Sequence, residues 1–498
     1  MPILGPASAT VPGAVAGWAD AHRRWGRLPW KSLVAPAEAL ARDGFAVSLK
    51  LARAIRQHLQ VVTADPGLRA LFIGSDGAPL RPGALCRLPA LAGTLSALAS
   101  GGAAAFYGDE VGRVLSDAVA RAGGALSPRD LADHRSEWAV PYRLPLAVPG
   151  LGPVAVHEQP LPSQGILVLV MLSLLDEAER RARATRPWEE LHRQVEAKKV
   201  AFALKELFLT DPRAYPFPGE ELAAELLSPA CRDALAPLLL AEPLPFGMER
   251  ATVRSLLPPA LRARLSTLGD EEDTPRPGGQ GTDTTYLCAV DAEGNAVGMI
   301  QSIFHPWGCG FLEPKTGILL NNRAVGFSLD PRHVNRLEPG KRTLHTLNSF
   351  QIDRGDALWL VSGTPGGDNQ VQTNLQVVRH LLRGSSTWPG PRPMDVNHWS
   401  QARRLEARDE RLPEAECLAM ALEAPRWRHD HEASDATVRI EARMSAEIRK
   451  RLEKRGHRVE RIGPWEGSGY VQAILRSEFE GTWIGATDPR GEGAALGL

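Results

Sequence analysis

The stretch Pro275-Arg-Pro-Gly-Gly-Gln-Gly-Thr-Asp283 and the residues that follow it constrain this chain most. Three glycines and two prolines in so short a run exclude a stable helix or a central strand, because glycine costs backbone entropy and proline lacks an N–H donor. The run predicts an exposed loop, the kind of segment where chains are cut. Directly after it the pattern changes to period two. Residues 284–291 and 296–303 read as strands joined by Ala292-Glu-Gly-Asn295, a hairpin signal. With Asp291 opposite Ala296, the register predicts Ser302 opposite Thr285 and beside Thr284.

Upstream, residues 11–132 carry apolar positions at three and four spacing between Gly and Pro breaks, which predicts helices such as 30–43 and 89–99. Alternation over 144–157, around Gly150 and Gly152, predicts a strand pair. Residues 191–209 predict a long buried helix. Further strands are predicted at 317–320, 349–353 and 358–362, then a helix at 372–383. The tail predicts a strand at 436–440, a helix at 445–454, and strands near Val459 and at 470–475. The fold class expected is α+β, with stacked sheets enclosed by helices.

Lysine plus arginine number 58 and aspartate plus glutamate 58, so no net field recruits nucleic acid or an anionic membrane. Five scattered cysteines form no C-x-x-C pair, which argues against a disulfide framework or structural zinc. The longest apolar run, residues 166–175, is short of the ~20 residues a membrane span needs. His429-Asp-His-Glu432 has the composition of a metal site but reads as adjacent surface polars.

A threonine hydroxyl is a weak nucleophile until a base takes its proton, and a chain-terminal α-amine, with a reference pKa near ~8, can be that base on the same residue. Cutting the bond before Thr284 would create both groups together. From spacing alone, a threonine at a strand start is ordinarily a β-former.

The run Thr284-Thr-Tyr-Leu-Cys-Ala-Val-Asp-Ala-Glu-Gly-Asn-Ala-Val resembles the small-subunit start of gamma-glutamyltransferases, a family of N-terminal nucleophile hydrolases. The likeness continues through Gln301-Ser-Ile, Gly308-Cys-Gly310, Thr316-Gly-Ile-Leu-Leu-Asn-Asn-Arg323, Pro339-Gly-Lys-Arg342 and Gly363-Thr-Pro-Gly-Gly367. It also covers Thr10-Val-Pro-Gly-Ala-Val-Ala-Gly-Trp18, Phe106-Tyr-Gly108, Gly123-Gly124 and Ala424-Pro-Arg426. Ordered blocks over nearly the whole chain are far more specific than one motif.

The resemblance implies a four-layer αββα sandwich whose two subunits, 1–283 and 284–498, come from one precursor and associate as a heterodimer. It implies Thr284 as nucleophile, the Asp283–Thr284 bond as autocleavage site, and Ser302 as a second hydroxyl bonded to the nucleophile. Gly366 and Gly367 match a pair of backbone donors to the oxyanion, and Asn322, Arg323, His345 and Thr346 fall at the substrate. The implied donor is a gamma-glutamyl amide such as glutathione. The acceptor is water, an amino acid or a peptide, and no metal or organic cofactor is required.

Several departures qualify this. Gly326 stands where family members carry the aspartate that binds the glutamyl α-ammonium, Phe304 replaces an asparagine serving the same head, and Arg323 replaces a neutral residue. His345-Thr346 replace two serines that bind the α-carboxylate. Donors for an acid are thus partly kept while the amine partner is lost, which suggests an acyl group of the glutaryl type, as in related cephalosporin acylases. The loop between Ser328 and Pro339 is also shorter than in members with a lid there. A non-catalytic relic of the family is the alternative, and it predicts an uncut chain. Family members carry a long segment ahead of the Val11-Pro-Gly block, including core strands and a carboxylate-binding arginine. Either the start is assigned too far downstream or the gene is truncated; the first is expected, and would hide any signal peptide. As written, the opening residues have neither a basic nor a sustained hydrophobic region, so a cytoplasmic place is expected over a periplasmic or secreted one.

Overall fold

The structure, a computed structural model, describes residues 1–149, 151–182, 186–268, 283–383, 414–430, 436–477 and 481–497. These fall into two compact units, one of residues 1–139, 281–283 and 301–327, the other of 140–280, 284–300 and 328–498. Both units draw on residues from either side of the 283/284 junction.

The first unit is mainly helical, with α1 (Ala14–Trp25), α2 (Trp30–Asp43), α3 (Pro89–Gly101) and α4 (Glu110–Arg121) as its longer elements. In α4, Val111, Leu115, Ala118 and Val119 recur at helical spacing and are buried. The returning segment 301–327 supplies Cys309 and Leu320 to one core with Val15, Leu98, Phe106 and Leu115, and Trp307 and Leu312 to another with Ile55, Leu68 and Phe72. Two glycines of the family blocks make this close packing possible. A Cβ on Gly308 would lie 2.0 Å from the Leu320 carbonyl oxygen, and one on Gly317 2.5 Å from the Leu91 nitrogen. Their φ values, 53° and 68°, are left-handed.

The second unit holds β1 (Tyr142–Val148), β2 (Gly152–Glu158), β3 (Asp283–Val290), β4 (Ala296–Phe304), β5 (Ser349–Arg354), β6 (Ala357–Gly363), β7 (Trp427–His429), β8 (Val438–Glu441), β9 (Val459–Ile462), β10 (Gln472–Arg476) and β11 (Trp483–Thr487). From Gln301 onward β4 belongs to the first unit. Six strands form one antiparallel sheet in the order β11-β10-β6-β5-β2-β1, while β7-β8-β9 form a smaller sheet and β3 pairs with β4. Its helices include α5 (Ile166–Arg181), α6 (Pro187–Phe208), α7 (Asn369–Arg383), α8 (Glu414–Glu423) and α9 (Ala446–Lys454).

The run 166–175, judged in sequence only for its length, forms the first turns of α5 and is buried on every side against α6, α7 and the sheet. On β6, Leu360 joins that helical core, whereas Val361 and Gly363 meet the β3–β4 hairpin. A Cβ on Gly363 would stand 2.7 Å from the Tyr286 ring. Helices, a six-stranded sheet and a hairpin thus succeed one another, and the α+β class holds. No described helix is long and apolar enough to cross a membrane.

Three details differ from the sequence reading. First, the Asp291 N–H donates to the Asn295 carbonyl at 3.0 Å and Gly294 adopts φ 82°, so the hairpin closes on a three-residue loop with a left-handed glycine. Asp291 therefore faces Asn295 and not Ala296, which moves the register by one residue. Second, the Pro- and Leu-rich stretch after residue 212, to which the sequence reading assigned no element, forms short helices such as Pro229–Leu235 and Pro259–Leu268, because proline in a first turn gives up an N–H that has no intrahelical partner anyway. Third, His429 and Asp430 are 1% and 6% exposed, not surface polars. His429 lies 3.1 Å from Lys198 Nζ and Asp430 pairs with Arg439, so buried charges on α6 and β8 draw them in. His431 and Glu432 lie outside the described residues.

Candidate active site

Thr284 is the second residue of β3 and half-buried, and its Oγ1 is a buried atom with no hydrogen-bond partner among the described residues. Asp283 opens the strand, while Gly281, Thr282 and the predicted loop before them lie outside the described residues. Strand alternation puts Tyr286 and Cys288 on the same face as Thr284. Burial drives the Tyr286 phenol well above its ordinary range, with Cys288 and Glu158 adding to the effect, and its Oη also lacks a partner. Burial raises the Cys288 thiol to about 11.

Gly366 and Gly367 follow β6 with φ of 141° and 57°, conformations that favour glycine. Both carbonyls are held from the head of α7: Gly366 O accepts the Asn369 N–H at 3.0 Å, and Gly367 O accepts the Gln370 N–H at 3.1 Å. Neither glycine N–H donates to another described residue. Two main-chain donors are left unspent, with no side chain to screen them.

His345 and Thr346 precede β5 in the same unit. The His345 N–H donates to Pro162 O at 3.0 Å, and the Gln164 N–H returns a bond to His345 O at 3.1 Å. Gln164 is fully buried, and its Nε2 donates to Thr346 O at 3.1 Å and Gly367 O at 3.2 Å. One side chain thus joins two segments that the sequence reading singled out separately. Nothing in that reading pointed to Gln164. The available signal was the polar Ser163-Gln-Gly165 directly ahead of the apolar run.

The remaining predicted residues lie in the first unit. Ser302 Oγ accepts the Phe304 N–H at 2.8 Å, and Phe304 takes φ 78°, an outlier for an aromatic residue. The Arg323 guanidinium lies 4.4 Å from the centroid of the Phe304 ring. Asn322, fully buried, accepts the His305 N–H at 3.0 Å through Oδ1 and donates to Ile3 O at 3.1 Å through Nδ2, so its amide is engaged in holding the turn after β4. Burial, then Arg323, lowers the His305 pKa.

A further cluster escaped the sequence reading. His192 and Glu196, one helical turn apart on α6, converge with His457 within 4.8 Å, a metal-like set. Its donors are already spent: His192 Nδ1 bonds His457 Nε2 at 2.7 Å, His192 Nε2 bonds Ala241 O at 3.0 Å, and Glu196 meets Lys199 at 2.8 Å. A neighbouring ammonium opposes a dication, so the set reads as a closed hydrogen-bonded pair.

The family model described as gamma-glutamyltranspeptidase matches residues 1–498. The oxamate amidohydrolase proenzyme of Klebsiella pneumoniae subsp. pneumoniae is 33% identical over 509 residues, covering 100% of this chain and 82% of that protein. The glutathione hydrolase-like YwrD proenzyme of Bacillus subtilis is 30% identical over 505 residues, with the same coverage of 100% and 82%. Among solved structures, the cephalosporin acylase from Bacillus halodurans superposes with a TM-score of 0.73 at 27% identity, over 99% of this chain and 79% of that one.

Proposed function

The chain belongs to the gamma-glutamyltranspeptidase family, whose relatives include hydrolases and acylases named as proenzymes, and from that premise we propose that it is a self-cleaving amidohydrolase with Thr284 as nucleophile. The observation that carries this is the buried Thr284 Oγ1 at the head of a strand, in the same unit as two glycine N–H groups, all three without a hydrogen-bond partner among the described residues. An unsatisfied buried hydroxyl costs free energy and persists where chemistry uses it.

In the precursor, Thr284 Oγ1 attacks the carbonyl carbon of Asp283, the C–N bond breaks, and water hydrolyses the resulting ester. This leaves a carboxylate on Asp283 and a free amine on Thr284. The amine, with its reference pKa near ~8, then takes the hydroxyl proton as Oγ1 attacks a substrate amide. It returns that proton to the leaving nitrogen, and the acyl group passes to water or to an amino acceptor. The N–H groups of Gly366 and Gly367 serve the oxyanion, each worth about 3 kcal/mol at the barrier. Ser302 is the second hydroxyl in this reading. The two fragments remain together as a heterodimer with the four-layer sandwich of the family.

For the acyl donor, a gamma-glutamyl amide is the family's default, but residues 321–328 contain no acidic side chain. An α-ammonium buried without a carboxylate would cost roughly 2–5 kcal/mol of recognition. An acyl group bearing a carboxylate and no amine, of the oxamate or glutaryl kind, suits Arg323, Phe304 and Gly326 better. The similarity to a protein named oxamate amidohydrolase supports the same choice. A denaturing gel tests the nucleophile: two fragments meeting at Asp283 and Thr284 are expected, and a persistent single chain overturns the proposal in favour of the non-catalytic relic. Rates on oxamate, a glutaryl anilide and a gamma-glutamyl anilide test the donor. A strong gamma-glutamyl preference overturns the donor assignment alone.

A further inference from the structure

Resting on the amidohydrolase reading, we propose that Glu158 is a positioning residue, a buried and uncharged carboxylic acid that braces Asn348 and the Gln164–Gly165 turn and so holds the Gly366–Gly367 donors in place. Glu158 ends β2, faces Tyr142 on β1 and Phe350 on β5, and is 1% exposed. The head of α5 is built around its carboxyl group: a Cβ on Gly165 would lie 2.7 Å from Glu158 Oε2, so a larger residue there would collide with the acid.

Two routes lead from this carboxyl group to Gly367. Along one, Gln164, next to Gly165, donates directly to Gly367 O at 3.2 Å. Along the other, the Asn348 side chain neighbours the acid, the Asn348 N–H donates to Gln370 Oε1 at 3.1 Å, and the Gln370 N–H donates to Gly367 O at 3.1 Å. Gln164, Asn348 and Gln370 are all fully buried. Among the described residues both Glu158 oxygens and Asn348 Oδ1 lack a partner of hydrogen-bond geometry, so acceptor valence is left for an acid proton on the neighbouring Asn348.

Asn348 and the Gln159 N–H lie against the Glu158 carboxyl group. Its strand neighbours are Tyr142 on β1 and Phe350 on β5, and Asn348 stands just ahead of β5. The β3 strand offers Tyr286, which sits beside Cys288. Nearby Asp368 is already paired with Lys205 at 2.6 Å. Burial pushes the Glu158 carboxyl well above the usual carboxylate range, with the Asn348 side chain and the Gln159 N–H acting in the opposite sense. The Thr284 amine freed by cleavage, on β3, also titrates, and it must be neutral to act as base. Loss of its proton therefore sets an acid limb of activity, whereas ionisation of Glu158 sets an alkaline limb.

The experiment uses the full chain and its Glu158→Gln and Glu158→Ala variants. Glu158→Gln keeps a neutral hydrogen-bonding group and is expected to retain turnover within about threefold while its alkaline limb disappears; Glu158→Ala is expected to lower kcat at least about tenfold with KM little changed. In parallel, amide hydrogen exchange across residues 366–370 is followed in the Thr284→Ala chain, which needs no catalysis. Protection factors, corrected for the base-catalysed intrinsic rate, are expected to fall at alkaline pH with Glu158 present and to stay constant with Glu158→Gln. An unchanged alkaline limb in Glu158→Gln, an unimpaired Glu158→Ala, or identical exchange with either residue overturns the proposal. If the wild-type chain hydrolyses no amide, the amidohydrolase reading fails, and the exchange result alone decides whether Glu158 braces the loop.

Discussion

Two buried polar regions of the second unit differ in one respect, how completely their hydrogen bonds are filled. Around Arg490, whose side chain is fully buried, every charged group is matched. Its guanidinium bonds Glu441 at 2.6 and 2.7 Å, Asp488 at 3.1 Å, and the carbonyls of Leu422 and Ala424 at 3.0 and 2.8 Å. Arg426, pushed down to about 10 by burial, closes the set on Asp488. In the region of Thr284 and the glycine pair, by contrast, Thr284 Oγ1, Tyr286 Oη, Gln164 Oε1 and both Glu158 oxygens lack a partner of hydrogen-bond geometry among the described residues. Burial and polarity are common to both regions. A saturated network specifies a packing, whereas open valence in an equally buried place is a cost that a stable fold removes unless chemistry needs it.

Mutations on the two sides should therefore move different observables. Thr284→Ala should have the largest effect, leaving the chain uncut and lowering amide hydrolysis at least about 10³-fold while thermal unfolding barely changes. A gel and a melting curve check both halves, and a cut variant would break the contrast. Arg490→Met should do the opposite, removing about 3–5 kcal/mol of stability by stranding Glu441 and Asp488, with self-cleavage of the folded fraction intact. Urea unfolding measures the loss. Gly366→Ala is a finer probe, because a Cβ there meets nothing closer than 3.7 Å and φ 141° is its main obstacle. Strain of about 1–3 kcal/mol would turn the N–H away and lower kcat about 10²-fold with KM nearly constant in steady-state kinetics.

The smallest effect sharpens the saturated side. Burial, then Arg455, lowers His192 to about 4, and burial, then its partner His192, lowers His457 to about 3, from an ordinary 6.5. The folded state then binds fewer protons than the unfolded one below pH 6.5. The stability linked to the pair is fully present above that pH and is lost as pH falls toward 4. About 2 kcal/mol per histidine should disappear between pH 6.5 and 4.5, and His192→Gln should flatten that slope in urea titrations.

Features that depend on local backbone chemistry were legible in the chain itself. The hairpin after the Gly/Pro loop, helix 30–43, the strands near 349 and 358 and the glycine pair at 366–367 all follow from period, turn composition and freedom at φ. Even there the register was read one residue off, because a left-handed Gly294 closes a shorter loop than composition suggested.

What the sequence by itself determined is the pattern of strands and helices, a threonine at a strand head behind a run rich in glycine and proline, and a glycine pair after a later strand. Only the tertiary structure decided which buried groups surround that pair. Glu158, Gln164, Asn348 and Gly367 are distant along the chain and meet because β2 lies beside β5 and β5 beside β6. Spacing fixes where a polar side chain points on its own element, but whether its hydrogen bonds are filled depends on atoms from other elements, and so appears only once the sheet has formed.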